Sequence, residues 1–243
     1  LAGSPQMTQY DAAAHYAETA KRLAHDLTVI TGQSAPPLIV VTQGAGFRHN
    51  GRSENILAEG RFDLENPTLS AIVSTPAYPW ELMEGTRASP SPKAALIMDE
   101  LSALAVAERQ CNRPWHCPAM QLAMISGRVV KVHFSSLDGL HLIEGRPHGF
   151  RLESAEPAPR IVAVEVVSDN QVRLELDAES VGKGVQLAYA WGHETTNPNE
   201  GYSANHGALR DGWSQPSIAV PGETLYRYAL SGRVPLIRRD CYD

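Results

Sequence analysis

Ala71-Ile72-Val73-Ser74-Thr75 is a run of mostly β-branched residues with no apolar-polar alternation, and it leads directly into Pro76-Ala77-Tyr78-Pro79-Trp80. A strand with one wet face alternates, whereas an unbroken run is buried on both faces, as in a parallel sheet covered by helices. Leu38-Ile39-Val40-Val41-Thr42 is a second run of this kind, set off by Pro36 and Pro37. Helical patterns surround both. Between Thr8 and Thr31, Tyr16, Ala20, Leu23, Leu27 and Ile30 recur at alternating spacings of four and three and form one apolar stripe, which Gly32 ends. A short helix is expected from Glu54 to Arg61 and a longer one from Lys93 to Ala107, where Pro90 and Pro92 suit the start. Helix, strand, helix, strand, helix is the order of an open α/β layer.

After Asn112-Arg113-Pro114-Trp115 the period changes to two, which places a boundary between an α/β part, residues 1–111, and a β part, residues 112–243. Val172, Leu174 and Leu176 alternate with Arg173, Glu175 and Asp177, and with Ile161 to Val167 they predict a hairpin across Ser168-Asp169-Asn170-Gln171. Val185, Leu187, Tyr189 and Trp191 alternate likewise, and Arg128 to Phe134 follows Gly127 as another strand. Many short strands suggest an all-β sandwich of jelly-roll type. Gly192 to Gly222 has no clear period and is long for a plain connection.

The 243 residues carry a net charge of −6 and no Lys/Arg run, which disfavours nucleic acid as a partner. The apolar stretches, such as Ala94 to Met98, are far shorter than the roughly 18 residues that span a bilayer. Three cysteines cannot close a disulfide framework, and Cys111 and Cys117 around His116 lack a paired zinc spacing. No metal and no cofactor is expected. The sequence also lacks a G-x-S-x-G elbow, a dinucleotide glycine motif and a phosphate loop.

In open α/β sheets ligands bind beyond the carboxyl ends of the strands. The loop after the first strand offers Gln43, Arg48, His49, Asn50 and Arg52; the loop after the second offers Tyr78, Trp80, Glu84 and Arg87. Hydrogen-bonding groups beside aromatic faces suit a sugar, whose hydroxyls need partners and whose C–H face stacks on a ring. Gln43, Arg48, Asn50, Arg52, Tyr78 and Trp80 are therefore candidate substrate contacts. Trp191, Tyr202, His206 and Trp213 could form a second glycan surface, or equally a local core beneath a loop folded back on its own sandwich. Arg210 and Asp211 are expected to form a structural ion pair.

The run from Ser74 to Trp80, then Glu84-Gly85-Thr86-Arg87-Ala88-Ser89-Pro90 and the helix from Lys93, resembles the last block of SGNH (GDSL-like) hydrolases. It is similar to the sialate O-acetylesterase-like proteins of phages, prophages and related bacteria. Ile30-Thr31-Gly32-Gln33 with Pro37-Leu38-Ile39-Val40, the stretch Gly207-Ala208-Leu209-Arg210-Asp211, and the closing Leu225-Tyr226-Arg227-Tyr228-Ala229-Leu230 resemble the same proteins, so the likeness covers nearly the whole chain. It implies the later part of an SGNH, flavodoxin-like parallel-sheet domain followed by a β module. In that family a serine attacks an ester and a late Asp-x-x-His supplies orienter and base. Here Glu84 stands at the Asp position and Arg87 at the His position. Arginine stays protonated and cannot act as a general base.

The resemblance implies a catalytically degenerate component of a phage or phage-like particle, on a tail or spike, that binds cell-surface polysaccharide. Other particle proteins and further copies of the chain are the expected partners. One alternative is a carbohydrate O-acetylesterase whose serine lies upstream of Leu1, with His49 as substitute base; another is a structural assembly protein. Two parallel strands leave open edges, so a preceding segment or a partner is expected to cover them.

Overall fold

The computed structural model describes residues 9–44, 54–80, 90–153, 159–179, 184–191 and 207–238. The chain opens with α1 (Gln9–Thr31), β1 (Ile39–Gln43), α2 (Glu54–Gly60), α3 (Phe62–Glu65), β2 (Ala71–Pro76) and α4 (Pro92–Gln110). Strands β1 and β2 pair in parallel, with Ile39 opposite Ala71 and Val41 opposite Val73. Neighbouring residues of β2 point to opposite faces and enter two different cores. Ile72 packs with Ile97, Leu101 and Ala105 of α4, whereas Val73 packs with Ala20 of α1 and Phe62 of α3. This is why the run shows no alternation. Helix α4 starts where Ser91, in extended conformation, accepts a hydrogen bond from the Ala94 N–H at 3.2 Å, with Pro92 at the first position. Gly32, at φ +67°, stops α1 in a conformation that costs other residues energy.

Among the described residues ten further strands follow: β3 (Ala119–Ser126), β4 (Val129–Ser135), β5 (Leu140–Leu142), β6 (Phe150–Glu153), β7 (Ile161–Ser168), β8 (Gln171–Leu176), β9 (Gln186–Tyr189), β10 (Leu209–Pro216), β11 (Thr224–Tyr228) and β12 (Gly232–Arg238). Seven of them form one sheet in the order β6-β9-β12-β3-β4-β8-β7, and β11-β10-β5 form a second. The inward residues of both sheets share one core, in which Val130, Val132, Leu174 and Leu187 of the larger sheet meet Leu140 and Leu209 of the smaller. A sandwich is thus present, but not in jelly-roll form. A jelly roll is two antiparallel sheets of Greek-key strands, whereas β12 lies parallel to β3 and the sheets are unequal.

The two parts are packed against each other. Cys117, Ala119 and Leu230 join the core beneath α1 and α3, and Leu225 joins that beneath α4. The two-stranded sheet stays open: among the described residues β1 is paired on one side only. The apolar stripe of α1 is buried at Ala20 but exposed at Leu23 (52%) and Ile30 (79%). The turn between β10 and β11 is tied to α4 by Glu100, whose carboxylate accepts from the Ser217 hydroxyl, the Ile218 N–H at 2.7 Å and the Ala219 N–H at 3.2 Å. Burial pushes this carboxyl up, but the three hydrogen bonds together outweigh it and hold Glu100 below its ordinary value. A carboxyl depressed by folding stabilises the fold above its unfolded value and loses that contribution as pH falls through the folded one. The difference in melting temperature between the native chain and Glu100→Gln is therefore expected to be largest at neutral pH. It should shrink as pH falls below the ordinary carboxylate value and the folded carboxyl takes up its proton, which a series of melting curves from pH 7 to 3 would check.

Candidate functional site

Strands β1 and β2 deliver their carboxyl ends toward the β-sandwich, and what they deliver differs at each. Gln43, last in β1, is fully buried. Its Nε2 donates to the carbonyls of Ile56 (2.8 Å) and Ser231 (2.9 Å), and its Oε1 accepts from the Ser231 N–H at 2.7 Å. Tyr78, just after β2, is also fully buried. Its hydroxyl donates to the Ala229 carbonyl at 2.7 Å and lies 3.2 Å from the Tyr189 hydroxyl, which accepts from the Leu209 N–H. Neither side chain offers a face to a ligand. Both are joints between the α/β part and the sandwich, because a polar group this deep must satisfy its hydrogen bonds inside the protein.

Trp80 is different. It stands at the rim of a cleft of about 450 Å³ between the start of α4 and strand β11. Pro79, Ser91 and Lys93 line it from the α/β side; Arg146, Glu223, Tyr226 and Tyr228 line it from the sandwich. The period of two along β11 aims Tyr226 and Tyr228 to one face and sends Leu225 and Arg227 inward. Trp80 meets Tyr228 edge-on at 5.3 Å, and Tyr226 meets Tyr228 at 6.2 Å. The Arg146 guanidinium lies 5.7 Å from the Tyr228 ring centre and that of Arg210 4.2 Å from the Tyr226 centre. Lys93 forms an ion pair with Glu223 across the cleft. Burial pushes the Tyr228 hydroxyl up despite the pull of Arg146 and Arg210 in the other direction, so it remains a neutral donor. The indole N–H of Trp80 has no partner among the described residues.

The other residues singled out in the sequence divide into two groups. Arg48, His49, Asn50, Arg52, Glu84, Arg87, Tyr202 and His206 lie outside the described residues. Trp191 and Trp213 do not share a surface. Trp191 is fully buried beside Leu57 under the Arg233 guanidinium, 4.8 Å from its ring centre, whereas Trp213 packs edge-on to Trp115 at 5.1 Å. The expected pairing of Arg210 with Asp211 is also replaced. Asp211 pairs with Arg227, Oδ2 to Nη2, at 2.7 Å, and Arg210 donates to the Asp211 backbone carbonyl instead. Around the boundary, buried Cys117 donates to the Ser74 carbonyl at 3.2 Å, and His116 Nε2 lies 2.5 Å from the Ser135 hydroxyl. Burial pushes the thiol of Cys117 up and the imidazolium of His116 down, so both are neutral packing groups at pH 7. No group of three metal-ligating side chains occurs among the described residues.

Lys93, Arg146, Tyr226 and Tyr228 are not candidates on sequence grounds. Two tyrosines spaced by two in an alternating strand are the one available signal. Lys93 and Arg146 come from a helix start and a turn that no motif connects.

The class defined by these observations is a mixed α/β chain with few helices, joined to a multi-strand β module, with an aromatic cleft at the junction. No family model matches the sequence, and no curated protein matches it significantly. Among solved structures, the fold is similar to a carbohydrate acetylesterase from Xanthomonas citri, with a TM-score of 0.55 and 14% identity over 91% of this chain and 46% of that one. The N-terminal part of the bacterial S-layer protein SbsC overlaps 94% of this chain and 38% of its own, at 11% identity and a TM-score of 0.31, too loosely to bear on the fold. The chain spans less than half the length of either structure.

Proposed function

We propose that the chain is a catalytically degenerate, SGNH-hydrolase-like protein that holds a cell-surface polysaccharide in the cleft between α4 and β11, as a component of a phage or phage-like particle. The observation that carries the saccharide reading is the cleft itself, where Trp80 and Tyr226 present ring faces and edges over the buried Tyr228, beside Lys93, Arg146 and Glu223. Rings supply stacking area at low entropic cost, and the charged groups supply donors and acceptors for hydroxyls. The likeness in fold to a carbohydrate acetylesterase supports the same reading. The degenerate reading rests on Glu84 and Arg87 in the sequence block where the resembling family has its orienter and base, since a guanidinium does not accept a proton at neutral pH. The setting on a particle, with other particle proteins and copies of the chain as partners, rests on the resemblance of the sequence alone.

Immobilised capsular or lipopolysaccharide should retain the protein, and Tyr226→Ala should weaken that retention by about tenfold, the scale of one lost ring contact in a cleft. Retention of Tyr226→Ala equal to the native chain, with an unchanged melting temperature, would remove the cleft from the binding surface. Mass spectrometry of purified particles tests the setting. The likeness to an acetylesterase favours one second reading, turnover by a longer protein that contains this chain. Acetate release from an acetylated polysaccharide, lost on His49→Ala, would establish it in place of degeneracy.

A further inference from the structure

The charge of the cleft runs against that of the chain. The whole protein carries −6, yet the residues lining this space bring two cations, Lys93 and Arg146, and one carboxylate, Glu223. Glu223 is committed to Lys93. Arg210, nearby, is committed as well, over the Tyr226 ring and toward the Asp211 carbonyl. Arg146 is the cation left over: among the described residues no carboxylate lies within ion-pair distance of it, and its contact is with the ring and hydroxyl of Tyr228. A guanidinium held against an aromatic face keeps its remaining N–H groups free, in a planar fork that matches the two oxygens of a carboxylate.

We propose that the cleft selects acidic saccharides, uronates or other sugars bearing a carboxylate, over their neutral counterparts, and that Arg146 is the residue that makes the distinction. The proposal rests on the reading of the cleft as a saccharide site and adds the class of sugar. The ring of the acidic residue stacks against Trp80 and Tyr226, above the buried Tyr228, and its carboxylate meets the fork of Arg146. Glu223 stays with Lys93 and so does not repel the ligand. A neutral sugar keeps the stacking and gives up the charge-assisted pair, which is worth about a factor of ten in a site this open to water.

The test uses polygalacturonate, alginate and hyaluronan, each beside a form whose carboxylates have been reduced to primary alcohols. Binding to the purified chain is measured at low and at high salt. At least one acidic polymer should bind about tenfold tighter than its reduced form, with the preference shrinking as salt rises. Arg146→Gln, an exposed substitution expected to leave the melting temperature unchanged, should remove the preference, bringing binding of the acidic polymer down to that of its reduced form. Equal binding of acidic and reduced polymers, or a preference that survives in Arg146→Gln, overturns the proposal while the saccharide reading stands. Failure of every polymer, acidic and reduced, together with failure of the polysaccharide retention described above, overturns both.

Discussion

Arg227→Ala is expected to lower stability by about 3–5 kcal/mol, the cost of leaving one member of a buried ion pair without the other. Arg227 is 3% exposed and Asp211 is fully buried, with Arg227 Nη2 2.7 Å from Asp211 Oδ2. Asp138, half exposed, pairs with the same nitrogen. The guanidinium lies beside two indoles that pack edge-on against each other, 5.6 Å from the ring centres of both Trp115 and Trp213. Asp211 Oδ2 and Arg227 Nε lack well-aligned hydrogen bonds, so the pair is held by charge and by the rings more than by directed bonds. Burial pushes the Asp211 carboxyl up, and Arg227 is the chief influence pulling it back; without Arg227 the buried carboxylate has to take up a proton or stay unpaired. Urea unfolding of Arg227→Ala measures the loss. The double variant Arg227→Met with Asp211→Leu should recover much of it, since it removes both charges and fills the space. A single-variant loss under about 1 kcal/mol would show that water already reaches the pair.

The second large effect is expected at Gln43. Gln43→Ala leaves the carbonyls of Ile56 and Ser231 and the Ser231 N–H without their partners, in a position the solvent does not reach. At about 1–3 kcal/mol for each orphaned buried group, a loss of about 3 kcal/mol is the low end. The consequence is also directional, because Ser231 precedes β12 and Gln43 ends β1, so the break falls at the joint between the α/β part and the sandwich. Hydrogen exchange should then rise at the Ser231 N–H and along β1 before it rises in β4 and β8, whose inward residues pack elsewhere. A Gln43 that touched saccharide would behave in the opposite manner, with weaker binding and unchanged stability. Gly60 adds a second check: a Cβ there would stand 2.2 Å from Gln43 Nε2, so Gly60→Ala should disturb the same joint.

Much of the fold is legible in local pattern. The unbroken run at residue 71, the stripe of α1 and the alternation of Val172, Leu174 and Leu176 each mark an element, because backbone hydrogen bonding and burial impose periods of two and 3.6 that side chains must follow. The change of period near Trp115 marks where the α/β part gives way to strands. Pairing is not legible. Nothing local states that β12 lies parallel to β3 or that the strands divide seven and three, since those are choices among distant partners.

The candidate site shows the same division. Position along the chain correctly places Trp80 beyond the end of β2, and it places Tyr78 and Gln43 at strand ends too, although a residue there can face inward as readily as outward. Burial decides between them: the sandwich packs directly onto the ends of β1 and β2, and only Trp80 emerges at the rim.

Residues close in the chain thus suffice for α1, α2, α4, for strands β1, β2, β4, β7, β8 and β9, and for the absence of a self-sufficient nucleophile motif, but not for β10, which lies in the stretch from Gly192 to Gly222 that shows no clear period. It takes the folded chain to bring Lys93, Arg146, Tyr226 and Tyr228 into one cleft, to give Asp211 to Arg227 instead of Arg210, and to part Trp191 from Trp213. The physical reason is that a site and an ion pair are set by distance in space, and the packing of a helix start against a hairpin more than 120 residues later carries no local signature.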